Sequence, residues 1–257
     1  NPFFAEFVDH VEAELYKAGF KMMLCTTEKE FNAELEYLDM LNRHIVDGVI
    51  TGAHSLAVEE YKKIHKPIVA LDRYLGEDIP VIAVNHKEGG RLAAETLIQN
   101  GCRRVLHFRG KVTVESPYHD RHFEFARIME EHGIQTIDYE LGRNRLDSEY
   151  YKKVVKDVFT RGIDFDGVFG VDRPVIECMN ETIRRHRRVP EDVKFVAYDG
   201  TFITEMVEPP LTAIVQPIKE LARESVRLVC NLVNGKVYKN KQVSLQVELR
   251  KGKSTVL

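Results

Sequence analysis

Gly48-Val49-Ile50, Pro67-Ile68-Val69-Ala70-Leu71 and Val81-Ile82-Ala83-Val84 are short, continuously apolar runs, and what lies between them decides the fold. Ala57 to Ile64 and, further upstream, Glu30 to Asn42 carry apolar residues at helical spacing. A strand that is apolar at every position is buried on both faces. Strands of that kind, separated by helices, make a parallel sheet covered by helices on either side. Working back, Phe4, Phe7, Val8, Val11 and Leu15 recur at helical spacing up to Gly19, and Lys21 to Cys25 reads as a further strand.

Working forward, Asn85 is placed to cap a helix, with Glu88 three residues on, and that helix runs to Asn100 and stops at Gly101. Strands recur at Arg104 to Phe108, Thr136 to Tyr139, Gly167 to Gly170 and Val193 to Ala197. Helices are expected near Asp120 to His132, Asp147 to Thr160 and Pro174 to His186. So many strands exceed one small doubly wound sheet, which points to two lobes with several crossings. Ile218 to Asn234 carries Ile218, Leu221, Ala222, Val226 and Val229 on one stripe and should lie against a sheet. Val243 to Leu249 alternates and reads as an edge strand.

At 257 residues the chain is long enough for one large domain or two modest ones. With 44% hydrophobic and 30% charged residues, it is neither disordered, collagen-like nor a coiled coil. Lys and Arg number 37 against 40 Asp and Glu, a net charge of -3, so the chain lacks the basic excess of a free-standing nucleic-acid-binding domain. Cys25, Cys102, Cys178 and Cys230 are too far apart for a zinc site or a CxxC motif and read as reduced core residues, with no metal and no cofactor implied. No run has the roughly 18 apolar residues that span a bilayer, and Asn1 opens into an amphipathic segment, so the cytoplasm is the expected compartment. The first residue is not Met, which leaves open a signal or a further domain upstream.

Open α/β sheets bind ligands outside the carboxyl ends of their strands. Here those ends lead into Asp72-Arg73, a stretch reaching Ser116 and Arg121, Asp172-Arg173, and Tyr198-Asp199. Carboxylates and guanidinium groups together suit a polyhydroxylated ligand, since each can pair with adjacent hydroxyls in a fixed plane. Phe3 and Phe4 would supply an apolar face for a sugar ring. Any one of these charges can equally cap a helix or bridge the lobes. GxSxG, GxxxxGK[ST], HExxH and GxGxxG are all missing, so nothing supports an enzyme strongly. Gly89-Gly90 reads as close helix packing, His119 and His122 as a solvated helix start rather than a metal pair, and Arg184, Arg185, Arg187 and Arg188 as cations at the negative end of a helix dipole.

Asn1-Pro2-Phe3-Phe4 before a helix ending Ala18-Gly19-Phe20, then Val46-Asp47-Gly48-Val49-Ile50 and Pro67 through Arg73, resemble the effector-binding core of the lactose/galactose repressor family. Gly89-Gly90, Gly101, Arg103-Arg104-Val105, Val189 to Val193, Tyr198-Asp199, Pro209 to Thr212 and Gln216-Pro217 follow the same pattern in the same order. The resemblance implies two doubly wound, periplasmic-binding-protein-like lobes joined by three crossings. Residues 1–85 with 217–240 would form one lobe, and 86–216 with 241–257 the other. It also implies a helix-turn-helix domain and a first core strand upstream of Asn1. A sheet lacking that strand would expose an unpaired edge, so further upstream residues are expected.

Carried over position by position, the ligand-facing residues would be Phe3, Phe4, Asp72, Arg121, Asp172, Arg173, Asp199 and Gln216, with Arg121 as the clamp. Val171 replaces a usual Asn and Glu124 a usual Gly. Tyr198 to Phe202 together with Arg173 is similar to sucrose-operon repressors, whose inducers are sucrose, fructose or their phosphates. Arg143, Arg145 and Arg173 would suit a phosphorylated sugar. The implied function is a cytoplasmic homodimer in which a sugar or sugar phosphate between the lobes controls operator binding by the missing domain. A periplasmic sugar receptor and an enzyme acting on a sugar or nucleotide are the alternatives.

Overall fold

The computed structural model describes residues 1–27, 33–53, 56–112, 115–142, 147–236 and 242–255. In chain order the first elements are α1 (Pro2–Lys17), α2 (Ala33–Asn42), β1 (Val49–Thr51), α3 (Val58–Lys62), β2 (Ile68–Leu71) and β3 (Val81–Val84). Then come α4 (His86–Gln99), β4 (Arg104–Gly110), α5 (Asp120–Glu131), β5 (Gln135–Leu141), α6 (Ser148–Thr160), β6 (Gly167–Val171), α7 (Asp172–Arg184), β7 (Lys194–Asp199) and β8 (Thr212–Val215). The chain continues through α8 (Ile218–Val233), β9 (Gln242–Leu245) and β10 (Glu248–Arg250).

Two sheets result. The first has the order β1-β2-β3-β9, parallel throughout; the second has the order β10-β8-β7-β6-β4-β5, parallel except for β10 against β8. Period-two alternation divides each apolar strand between two cores. Val69, Leu71 and Ile82 meet Phe3, Phe7 and Val11 of α1 and Leu221, Val226 and Val229 of α8. Ile68, Ala70 and Val81 meet Leu38 and Leu41 of α2 and Tyr61 of α3. A third core packs Leu106, Val168 and Phe195 of the second sheet against Val154 and Val158 of α6 and Val175 and Met179 of α7. The chain passes between the sheets at three places: from β3 to α4, from β8 to α8, and from β9 to β10. Among the described residues, no helix is long and apolar enough to cross a membrane.

Several expectations need correcting. Val243 to Leu249 is not one edge strand: it breaks after Leu245, so that β9 closes the first sheet beside β3 and β10 closes the second beside β8. Residues 242–245 therefore belong with the first lobe, not with the 241–257 assigned to the second. Lys21 to Cys25 forms no strand, because no described strand lies beside it to pair with, and Met23, Leu24 and Cys25 are exposed. Cys25 is thus not a core residue. Phe3 and Phe4 stand in the first turn of α1, whose amides Asn1 caps by accepting from Phe3 N at 3.1 Å, rather than at a strand end. β8 was not expected; its four residues lie between Pro210 and Pro217, too short a run for periodicity to register. Arg143 and Arg145 lie outside the described residues.

Gly89 and Gly90 bring α4 against the second lobe's other elements. A Cβ on Gly90 would stand 2.3 Å from the carbonyl oxygen of Arg121, and one on Gly89 would stand 2.7 Å from the Tyr198 ring. The Gly90 contact is with backbone and cannot be relieved by a side chain turning away. Gly90→Ala should therefore destabilise the protein by about 1–3 kcal/mol, the usual range for overpacking, as read from urea unfolding; wild-type stability would show that α4 and α5 have room to part.

Candidate ligand cleft

In the second sheet the connections reverse direction between β4 and β6: β5 follows on one side of β4, and the chain returns to the other. Such a reversal opens a crevice at the carboxyl ends of the strands. β6 delivers Asp172 there, β7 delivers Asp199, and β8 leads into Gln216. From the first lobe, β2 delivers Asp72.

Arg121, 8% exposed, occupies the centre. Its guanidinium lies 3.9 Å from Asp199 Oδ1 and 4.3 Å from the centre of the Tyr198 ring. Gln216 Nε2 donates to Asp199 Oδ1 at 2.8 Å, whereas the buried Gln216 Oε1 has no hydrogen-bond partner among the described residues. An acceptor held in that state is suited to a ligand hydroxyl. Asp172 accepts from Gly200 N at 3.1 Å, from Thr201 N at 2.9 Å and from the Thr201 hydroxyl at 2.5 Å, so it also fixes the loop after β7. Arg173 lies over the Tyr151 ring at 5.3 Å and donates to the Ser148 hydroxyl. Asn1, Tyr151, Val171, Asp172, Arg173 and Asp199 line an open cleft.

Asp72 acts at the seam. Its carboxylate is 2.9 Å from His86 Nε2, His86 Nδ1 is 2.8 Å from the Tyr198 hydroxyl, and Ser116 donates to the Asp72 carbonyl. Asp72, through His86, and Arg121 thereby meet on the same tyrosine. Arg73 turns away into the first lobe, 3.5 Å from Glu34 and donating to the carbonyls of Ala53 and Leu56. Phe3 is 5% exposed and belongs to the core, so it does not face the cleft; Phe4, at 40%, keeps an open ring. His119 and His122 are both buried, which corrects the solvated helix start, and no group of three metal-ligating side chains is present among the described residues. Arg184, which ends α7, and Arg185 just beyond it pair with Glu181, as cations closing a helix do, whereas Arg187 and Arg188 lie past that end, Arg187 donating to the Phe165 carbonyl and Arg188 pairing with Asp192. Sequence reasoning missed Asn1 and Tyr151 in the cleft lining and His86 at the seam beside it.

The electrostatics follow from burial. Desolvation first, then the neighbouring Asp199 carboxylate, push the Asp172 carboxyl up; the donors on Thr201 and Gly200 pull down without cancelling this. Asp199 is also raised, chiefly by burial, with Arg121 and Gln216 opposing.

The profile of the periplasmic binding protein-like domain matches residues 94–255. The chain is 34% identical over 241 residues to the ribose operon repressor of Halalkalibacterium halodurans, covering 92% of this chain and 70% of that protein. It is 33% identical over 221 residues to the sucrose operon repressor of Streptococcus mutans, covering 86% and 67%. Among solved structures, a periplasmic binding protein/LacI transcriptional regulator from Alkaliphilus metalliredigens, complexed with D-xylulofuranose, superimposes with a TM-score of 0.88 at 27% identity, over 100% of this chain and 96% of that one. Fold and cleft define a two-lobed protein of the periplasmic-binding-protein class. The chain belongs to the lactose/galactose repressor family, of which it carries the effector-binding core.

Because Asp199 contributes to the elevation of Asp172, Asp199→Asn should lower the Asp172 pKa, as followed by carboxyl carbon NMR. The sign for stability follows. A carboxyl raised in the folded state contributes fully below its unfolded value, and that contribution is lost as pH rises through the folded value. The variant should lose less stability over that window than wild type does; an unchanged Asp172 titration would separate the two carboxyls.

Proposed function

We propose that the cleft binds one small neutral sugar, a pentose or a ketose in its five-membered ring form, and that this core transmits occupancy to operator binding by a helix-turn-helix domain outside these 257 residues. The observation that carries the reading is the buried set Arg121, Asp172, Asp199 and Gln216: Asp172 and Asp199 line the cleft, and Arg121 and Gln216 stand behind Asp199. Guanidinium donors and carboxylate acceptors match vicinal hydroxyls, and the Tyr151 and Phe4 rings supply apolar faces. A ribose operon repressor, a sucrose operon repressor and a D-xylulofuranose complex among the relatives support the same ligand class. Phosphate fits less well. Two carboxylates face the space, Arg121 already faces Asp199, and Arg173 is engaged with Ser148 and Tyr151.

The core works by binding without turnover, in the cytoplasm and as a homodimer, with α1 and its neighbours supplying the mating surface. A ligand shifts the balance between open and closed lobes only by its differential affinity for the two. A monomer at tens of micromolar in light scattering would remove the dimer from this account.

A thermal-shift panel of D-ribose, D-fructose, sucrose and their phosphates tests the ligand class. A true ligand at 100 times its Kd adds about 2.7 kcal/mol, and Arg121→Ala should weaken binding by about 1.5–3 kcal/mol while the unliganded protein stays folded. A sugar phosphate that outcompetes every neutral sugar would reverse the preference stated here.

A further inference from the structure

Behind Arg121, away from the cleft, runs a line of buried polar contacts. Arg121 Nε is 3.4 Å from His122 Nε2; His122 Nδ1 is 2.8 Å from His107 Nε2; His107 Nδ1 is 3.0 Å from Asp138 Oδ1. Both histidines are buried, while Asp138, on the edge strand β5, has its side chain 39% exposed.

We propose that Asp138, His107 and His122 are positioning residues that form a directed relay and aim the Arg121 guanidinium into the cleft.

The direction follows from the two ends. A carboxylate can only accept and a guanidinium can only donate. His107 must therefore donate through Nδ1 to Asp138, leaving its Nε2 to accept from His122 Nδ1–H. His122 Nε2 is then the acceptor for Arg121 Nε–H. Every link is satisfied when both rings are neutral with the proton on Nδ1, and a proton added to either ring sets donor against donor. The surroundings hold them neutral. Burial pulls His107 down, opposed by Asp138, with Arg109 and Arg121 adding to the fall; burial and then Arg121 pull His122 well down, helped by His107, His119 and Arg109. Phe125 and Phe169 cover the His107 ring, at 4.9 and 5.3 Å between centres. With Nε engaged from behind, the terminal nitrogens of Arg121 are directed toward Asp199 and the ligand space. The relay rests on the sugar-binding reading only for what Arg121 is aimed at.

Asp138 lies on the sheet edge, outside the residues that line the cleft, and its Oδ2 also pairs with Arg109 Nε at 3.1 Å. The experiment combines nitrogen-15 spectra of the histidine rings in the unliganded protein with D-ribose, D-fructose and sucrose affinities measured by calorimetry. In wild type both rings should show the Nδ1–H tautomer. Asp138→Ala should release the His107 tautomer and weaken binding roughly three- to tenfold, the value of about one ordinary hydrogen bond. Asp138→Asn, which keeps an acceptor, should restore the tautomers and return affinity to within about twofold of wild type. An Nε2–H tautomer at His122 in wild type overturns the relay. So does Asp138→Ala with unchanged tautomers and affinity, or Asp138→Asn as weak as Asp138→Ala. If none of the sugars binds wild type, the sugar reading falls, and the tautomers alone decide the relay.

Discussion

A guanidinium buried at the junction of two lobes is the constraint around which the rest of this protein is arranged. Taking Arg121 out of water costs several kcal/mol unless charge and hydrogen bonds replace its hydration. Asp199 supplies the charge, the Tyr198 ring a polarisable face, and His122 an acceptor at Nε. The 3.9 Å separation from Asp199 exceeds a hydrogen bond, so the attraction is coulombic and leaves the carboxylate geometrically open to a ligand oxygen. Gly90 belongs to the same arrangement, because only a residue without a Cβ lets α4 lie against the Arg121 carbonyl.

Around that junction one apolar cluster takes in residues of both lobes, Leu71 and Phe7 as well as Phe125 and Phe169, and specific polar contacts add to it. Apart from the short crossings, Glu6 of α1 accepts from Phe202 N at 3.1 Å, and Asn85 meets Gln246 at 3.3 Å between two of the crossings. Asp72, His86 and Tyr198 make the path that ends on Arg121. A ligand that engages Arg121 and Asp199 thus acts on side chains that also answer to Asp72 in the first lobe.

How much of this was legible in the sequence depended on whether a segment's fate is local. β2, β3, β6 and β7 are apolar at nearly every position, and such runs admit little but a sheet buried on both faces. The gathering of Asp72, Asp172, Asp199 and Gln216 at strand ends was legible because strand ends in this architecture converge; Arg121 joins them from the first turn of α5. Lys21 to Cys25 was misread because composition cannot say whether a neighbouring strand is present to pair with. Val243 to Leu249 was misread because alternation persists across the point where the chain leaves one sheet for the other. Phe3 was misread because an aromatic in the first turn of a helix can turn to the core or to the cleft, and Val11 and Phe7 on the same stripe draw it inward. His86 and the His107–His122 pair carried no spacing signal, since they meet through tertiary packing alone.

Departures from local rules mark the cleft independently of any motif. Among the described residues, the non-glycine positions with positive φ are His44, Asp72, His186 and Asp199. His44 and His186 stand just beyond the ends of α2 and α7, where a left-handed residue ordinarily ends a helix. Asp72 follows β2 and Asp199 ends β7, where no helix needs stopping, so their φ values of 53° and 99° require another cause. Each turns its carboxylate toward a partner: Asp72 of the first lobe toward His86 of the second, and Asp199 toward Gln216 and Arg121 within the second. The elevated Asp172 carboxyl and the unpartnered Gln216 oxygen lie beside them. Strain, desolvated charge and an unmet acceptor all disfavour the fold locally, and they coincide at the strand ends. A fold selected for stability alone would scatter or remove them; gathered in one crevice, they describe a site whose missing interactions a polyhydroxylated ligand would supply.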